Sequence, residues 1–167
     1  MSGKNINNKK YVIISGLDLK DNNRGTAALG YGSFYFLKEK GYLKDDDIVV
    51  IFKYYNNFLK KENTSGKEYF VECEGKQVKC KEIPVFRIEK KLLDKFGILL
   101  PFTRFGRIVS NLRWVAAING GDGFSDIYST PTFLSRLHET NIAMKYHVPV
   151  IILPQTIGPF KEQANRD

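Results

Sequence analysis

Three stretches of this chain combine glycine with polar side chains able to hold an anion or a hydroxyl. The first, Leu17–Gly25, carries Asn22, Asn23, Arg24 and Gly25. A helix beginning here would point free backbone N–H groups at an anion, and Arg24 would add a two-pronged charge contact. Asn22 and Asn23 equally suit a plain helix N-cap. The second stretch, Asn119–Tyr128, opens with Asn119, Gly120, Gly121 and Asp122 and runs on through Asp126. Its glycines permit positive φ or close backbone approach to a ligand. Asp122 and Asp126 are acceptors for sugar hydroxyls, and either becomes a general base if its pKa is raised. The third, Pro154–Phe160, offers Gln155, Thr156, Gly158 and Pro159. Gln155 can orient a hydroxyl or carbonyl, and Gly158-Pro159 redirects the chain.

Other chemistries find no support in the spacing. The first loop is neither G-x-G-x-x-G nor G-x-x-x-x-G-K-[ST], which disfavours nicotinamide cofactors and P-loop nucleotides. No Gly-x-Ser-x-Gly elbow is present, and no His, Cys and acidic residues fall at metal-ligand spacing, so no metal is expected. His138, in a predicted helix, and His147, at a predicted strand start, read as structural. Asp45, Asp46 and Asp47 read as a solvent-facing turn. Tyr31, Phe34, Tyr35 and Phe36, at helical spacing, read as core, and Trp114 as strand packing.

The elements that must position these loops follow from apolar runs. Tyr11–Ser15, Asp47–Tyr54, Arg113–Ile118 and His147–Leu153 read as buried strands, being short, continuous and rich in β-branched residues. Thr26–Lys40 reads as a helix with Leu29, Ser33, Phe36 and Leu37 on one face, small residues near its start, and Gly41 as its stop. Ile88–Phe102 reads as a helix and connector. A further helix is predicted from Thr130-Pro131, with Thr130 as N-cap and Phe133, Leu137 and Met144 on one face. Residues 68–86 alternate as a hairpin around Gly75-Lys76, which breaks the β-α rhythm and reads as an insertion or an edge element. That register sets Cys73 against Val78 and Cys80 against Val71, so no disulfide is expected. Strand–helix alternation predicts an α/β fold: a Rossmann-like parallel sheet with helices on both faces and an inserted β-hairpin. In such sheets ligands bind beyond the carboxyl ends of the strands, where strand order reverses. All three glycine-bearing loops follow strands, so they should open on one rim.

Composition narrows the class. The 167 residues suit one domain: residues 1–10 as a flexible leader and 11–167 as a single Rossmann-like unit. Apolar residues at 43% suffice for a core, and 26% charged residues argue against an integral membrane protein. The polar start lacks a secretory h-region, which points to the cytoplasm. A net charge of +8 favours anionic partners such as phosphorylated small molecules or acidic membrane surfaces. Its basic residues are dispersed, so no nucleic acid is expected. The chain closes on PQTIGPFKEQANRD with no covering helix after its last strand, the pattern of a truncated longer protein.

DNNRGTAAL after the first strand, NGGDGFSDIY after a central one and VPVIILPQTIGPF after the next resemble the polysaccharide pyruvyl transferase family. The likeness runs over about residues 11–160 and would match the N-terminal half of a usual member. It implies one half of a GT-B-like two-domain architecture. It further implies transfer of the pyruvyl group of phosphoenolpyruvate to a sugar of a bacterial exopolysaccharide or cell-surface glycan precursor, forming a pyruvate ketal. By this resemblance Asn23, Arg24 and Gly25 belong to the first-loop motif, Gly120, Gly121, Asp122 and Asp126 to the central glycine loop, and Gln155, Gly158 and Pro159 to the third. The family's Arg/His donor motif belongs to the other half, so the isolated piece is expected to be inactive and to self-associate. Two other functions fit the residues. One is a nucleotide-sugar glycosyltransferase or epimerase of similar architecture; the other is a non-catalytic carbohydrate- or anion-binding module.

Overall fold

The computed structural model describes residues 10–17, 24–55, 66–73, 75–118, 124–155 and 157–165. Strand β1 spans Tyr11–Ser15, helix α1 Arg24–Glu39 and β2 Ile48–Tyr55. A hairpin of β3 (Glu68–Cys73) and β4 (Lys76–Phe86) follows. Next come α2 (Arg87–Phe96), α3 (Arg104–Ser110) and β5 (Leu112–Ala117). Helices α4 (Thr130–Arg136) and α5 (His138–Lys145) lead to β6 (Val150–Ile152) and a short 3-10 turn at Gln163–Asn165.

The six strands form one sheet in the order β3-β4-β2-β1-β5-β6. Every pairing is parallel except β3 with β4. Strand order runs outward from β1 to β2 and β4, then returns to β5 on the other side of β1. The switch point therefore lies between β1 and β5, the arrangement of a Rossmann-like sheet. Strand side chains alternate between two cores. Val12, Ile14, Trp114 and Ala116 face α1 through Phe34 and Leu37. Ile13, Val50 and Val115 face the other layer, with Leu93 of α2, Phe105 and Ile108 of α3, and Ile142 and Ala143 of α5. Strands β1, β2 and β5 thus have covered faces, which is why they read as continuous runs rather than alternating ones. Strand β6, expected as a buried strand over 147–153, is a three-residue edge strand with Ile152 56% exposed.

Helix α1 ends as expected, with Gly41 at φ 72°. Its burial differs from the expected stripe: Gly30, Ser33, Phe34 and Leu37 are buried, while Leu29, Tyr31, Tyr35 and Phe36 are exposed. The helix packs through its small residues and one aromatic ring, so the aromatic run is mostly surface.

The hairpin is not an insertion. Its second arm, β4, pairs with β2 over eight parallel positions and is an interior strand; only β3 is an edge. Its alternating sequence concealed this role. The register also differs from the predicted one: Val71 faces Val78, Cys73 faces Lys76 and Tyr69 faces Cys80. Gly75, at φ 69°, is thus the second of the two turn residues, the position where a type I′ turn favours glycine. Cys80 is free and buried, and burial pushes its thiol up to about 12.

Two helical predictions are corrected. Helix α3, between Pro101 and β5, was missed; Thr103 caps it by accepting from the Gly106 N–H at 3.0 Å. The single helix expected from residue 130 is two. The N-cap is Ser129, which accepts from Thr132 N–H at 3.2 Å, and α4 gives way to α5 at Leu137. The break rotates the second half, so Met144 is 59% exposed instead of sharing a face with Phe133. His147 sits in a tight turn at φ 54° before β6, not in the strand.

Asp47, read as solvent-facing, is buried. It forms an ion pair with Arg113 and accepts from Lys44 N–H at 2.6 Å. The same guanidinium donates to the Tyr42 carbonyl, which also accepts from Trp114 Nε1 at 3.1 Å. This knot locks the turn after α1 to the start of β5. Among the described residues no helix is long and apolar enough to cross a membrane.

Candidate functional site

Parallel pairing of β1, β5 and β6 places the start of all three glycine-bearing loops on one rim, beside the switch point. Ser15 pairs with Ala117, and Ala117 with Ile152, so the three strands end in line. Arg24 and Gly25 are the first residues of α1 and are exposed at that rim. Asn22, Asn23, Asn119, Gly120, Gly121, Asp122 and Thr156 lie outside the described residues. A cleft of about 430 Å³ opens between α1 and the ends of β5 and β6, lined by Gly25, Leu29, Ser33, Phe36, Ile118 and Leu153. Its wall is largely apolar.

The second and third loops are stitched together. Phe124 bridges Ile157 in parallel, and its carbonyl accepts from Gly158 N–H at 2.7 Å. Ser125 Oγ donates to the Pro159 carbonyl at 3.2 Å. Asp126, 2% exposed, accepts from the Lys161 N–H at 2.7 Å, the Glu162 N–H at 3.0 Å and Asn165 Nδ2 at 2.7 Å. The Glu162 N–H bond is the largest influence, and with the Asn165 and Lys161 bonds it holds the carboxyl at about 2 against the opposing effect of burial. A carboxylate held so low is a weak base near neutral pH. In this geometry Asp126 fastens the segment after β6 to the loop after β5.

Gln155 reaches back to the sheet, its Nε2 donating to the Ala117 carbonyl at 2.8 Å. Its Oε1 is buried and has no hydrogen-bond partner among the described residues. Gly158 is buried at φ 77°, and its bond to Pro159 is cis.

A second polar cluster at this rim went unnoticed in the sequence. Ser15, the last residue of β1, donates to Glu139 Oε2 at 3.1 Å, and Tyr54, near the end of β2, donates to Glu139 Oε1 at 3.0 Å. Glu139 lies in the first turn of α5. Burial, the largest influence, raises its carboxyl above the ordinary value; its own backbone N–H, the two hydroxyls and the charge of Lys90 act the other way. Behind it, the Tyr54 ring meets His138 edge-on with centroids 5.4 Å apart. His138 Nδ1 is 3.3 Å from Lys90 Nζ and 3.5 Å from Asp94. Burial first, then the Lys90 charge, hold this imidazole at about 4, with Asp94 opposing. His138 is therefore neutral near pH 7. The available signal was positional: Ser15 and Tyr54 are polar residues closing apolar strands, at the end where such sheets bind ligands. Among the described residues no group of His, Cys, Asp and Glu is placed to hold a metal ion.

No family model, no curated protein and no solved structure matches this chain.

Proposed function

We propose that the chain forms one wall of the cleft of a pyruvyl transferase, one half of a GT-B-like pair of domains. The reaction moves the pyruvyl group of phosphoenolpyruvate to a sugar of an exopolysaccharide or cell-surface glycan precursor, forms a pyruvate ketal and releases phosphate. The observation that carries this reading is the shared rim: three loops resembling one family's motifs leave three adjacent parallel strands at the switch point. In this reading Arg24 and the start of α1 receive an anionic group, since N–H dipoles and a guanidinium favour one there. Asp122 holds a sugar hydroxyl. Gln155, whose amide oxygen has no partner among the described residues, orients the ligand. Asp126 serves by fixing the third loop rather than as a base.

The same strand order suits a nucleotide-sugar enzyme, whose base could enter the apolar cleft beside α1. A thermal-shift titration separates the two. A ligand that binds only the folded state raises its melting temperature, by about 2.7 kcal/mol of stability at a hundred times its Kd. Phosphoenolpyruvate, or a sugar carrying free neighbouring hydroxyls, is expected to stabilise the chain beyond any effect of inorganic phosphate. Stabilisation by nucleotide sugars alone, lost when the nucleotide is removed, favours the second reading. No response to any of these ligands overturns both.

A further inference from the structure

The Ser15–Tyr54–Glu139 cluster has no role in the reading above, yet it has the composition of a sugar subsite. Its members come from β1, β2 and α5 and meet at the carboxyl ends of the strands, beside the switch point. One carboxylate receives two hydroxyl donors, and the Tyr54 hydroxyl, at the exposed side of the cluster, can accept from a further donor. Tyr54 remains 43% exposed and Glu139 is only partly buried, so a ligand at the rim can reach both, while Ser15, 3% exposed, holds the carboxylate from behind. A purely structural tie between α5 and the strands would not need an ionisable group there, because burying one opposes folding. The groups facing the carboxyl are Ser15 and Tyr54 from the strands and Lys90 from α2, with His138 and Asp94 behind Tyr54.

We propose that Tyr54 and Glu139 form the subsite for two neighbouring hydroxyls of the acceptor sugar, with Ser15 positioning the carboxyl from behind, and that Glu139 carries the proton of the attacking one. The proposal rests on the pyruvyl-transfer reading and supplies the base that Asp126 does not. The chemistry balances. The first hydroxyl oxygen bonds to C2 of phosphoenolpyruvate. Its proton passes to the Glu139 carboxylate and on to C3, which becomes the methyl group, so Glu139 returns to its starting state. The C2–O bond to phosphate then breaks with its electron pair leaving on phosphate. The second hydroxyl oxygen bonds to C2, and its proton goes to the departing phosphate. A carboxyl whose affinity for protons is raised by burial suits such a relay better than one held at about 2.

The test is sugar binding to the chain, followed by saturation-transfer NMR. The probes are methyl β-galactoside, methyl α-mannoside and methyl β-glucoside, each beside a deoxy analogue lacking one of two neighbouring hydroxyls. At least one glycoside is expected to bind, and its deoxy analogue to bind more weakly. Glu139→Ala is expected to raise Kd about tenfold or more, the usual loss for a hydrogen bond to a charged group. Glu139→Gln, whose amide oxygen accepts from one hydroxyl while its NH2 group donates to the other, should stay within about threefold and report that the fold is intact. Ser15→Ala provides a second variant with little change in volume. Failure of all three glycosides to bind, or binding that Glu139→Ala and Ser15→Ala leave unchanged, overturns the subsite. Phosphoenolpyruvate is titrated separately by thermal shift. Glycoside binding that depends on Glu139, with stabilisation by nucleotide sugars and none by phosphoenolpyruvate, keeps the hydroxyl subsite but overturns pyruvyl transfer and the relay assigned to Glu139. A response to phosphoenolpyruvate with Glu139-independent sugar binding overturns the subsite alone.

Discussion

At the end of the sheet where β2 and β5 begin, the buried Asp47 carboxylate meets the Arg113 guanidinium, and the Tyr42 carbonyl accepts from Arg113 and from Trp114 Nε1, while Arg113 Nε has no partner among the described residues. At the end where β1 and β2 finish, the side-chain donors to Glu139 among the described residues are two hydroxyls, beside the N–H of its own backbone. Burial raises the pKa of both carboxyls. The difference lies in their partners. A charge beside a guanidinium is compensated on the spot and keeps its geometry. A carboxyl held by hydroxyls can exchange one of them for a ligand hydroxyl of the same chemistry, at little change in hydrogen bonding. One end of the sheet closes the fold, and the other presents polar groups with capacity to spare, including the Gln155 amide oxygen.

The largest expected effect probes the closed end. Arg113→Ala leaves Asp47 buried without its cation and should cost about 3–5 kcal/mol in urea denaturation, with ligand binding per folded molecule unchanged. A loss below about 1 kcal/mol would make the two ends alike. Next comes acid. His138 titrates near its ordinary 6.5 when unfolded and at about 4 when folded. The unfolded chain binds the extra proton between those values, so stability is complete above pH 6.5 and declines as pH falls toward 4. The contribution is on the order of 3 kcal/mol at most. A His138→Phe variant should lose this segment of the pH–stability curve, which guanidinium melts at several pH values would show.

A smaller effect is expected at Asp126. Asp126→Ala frees the N–H groups of Lys161 and Glu162, so their amide exchange should accelerate and the melting temperature fall by less than in Arg113→Ala. Because the folded pKa is depressed to about 2, this contribution is present above about pH 4 and disappears as pH falls toward 2. Unchanged exchange at both amides would remove the latch. The smallest effect belongs to Tyr54→Phe, which deletes one partly exposed hydroxyl bond and should cost about 1 kcal/mol or less. If it costs as much as Arg113→Ala, the open end is as structural as the closed one, and the comparison fails.

Much of the framework was legible because burial on both faces leaves a direct trace in sequence. YVIIS is β1 to the residue, and DIVVIFKY is displaced from β2 by one position. The glycine-bearing loops were legible as loops, and their common rim followed once the strands were taken as parallel. Strand β4 was not, since its sequence alternates like a surface hairpin although its partner on one side is β2. The break at Leu137 carries neither glycine nor proline, so nothing local announced it. Asp47 looked exposed because the residue that compensates it is Arg113, far along the chain.

The two carboxylates of the candidate site show where reading ended. Asp126 was chosen for its place in a glycine loop, which the sequence displays. Its three donors come from Lys161, Glu162 and Asn165, and only the folded chain brings them near. Glu139 sits in an ordinary helix and was passed over, because its partners at positions 15 and 54 meet it only across the sheet. The sequence by itself determined which segments are strands and which loops are rich in glycine, since local pattern and burial write those directly. Tertiary structure alone decided which acid is held low and which high, because a pKa depends on donors, charges and burial within a few ångströms, however distant in sequence.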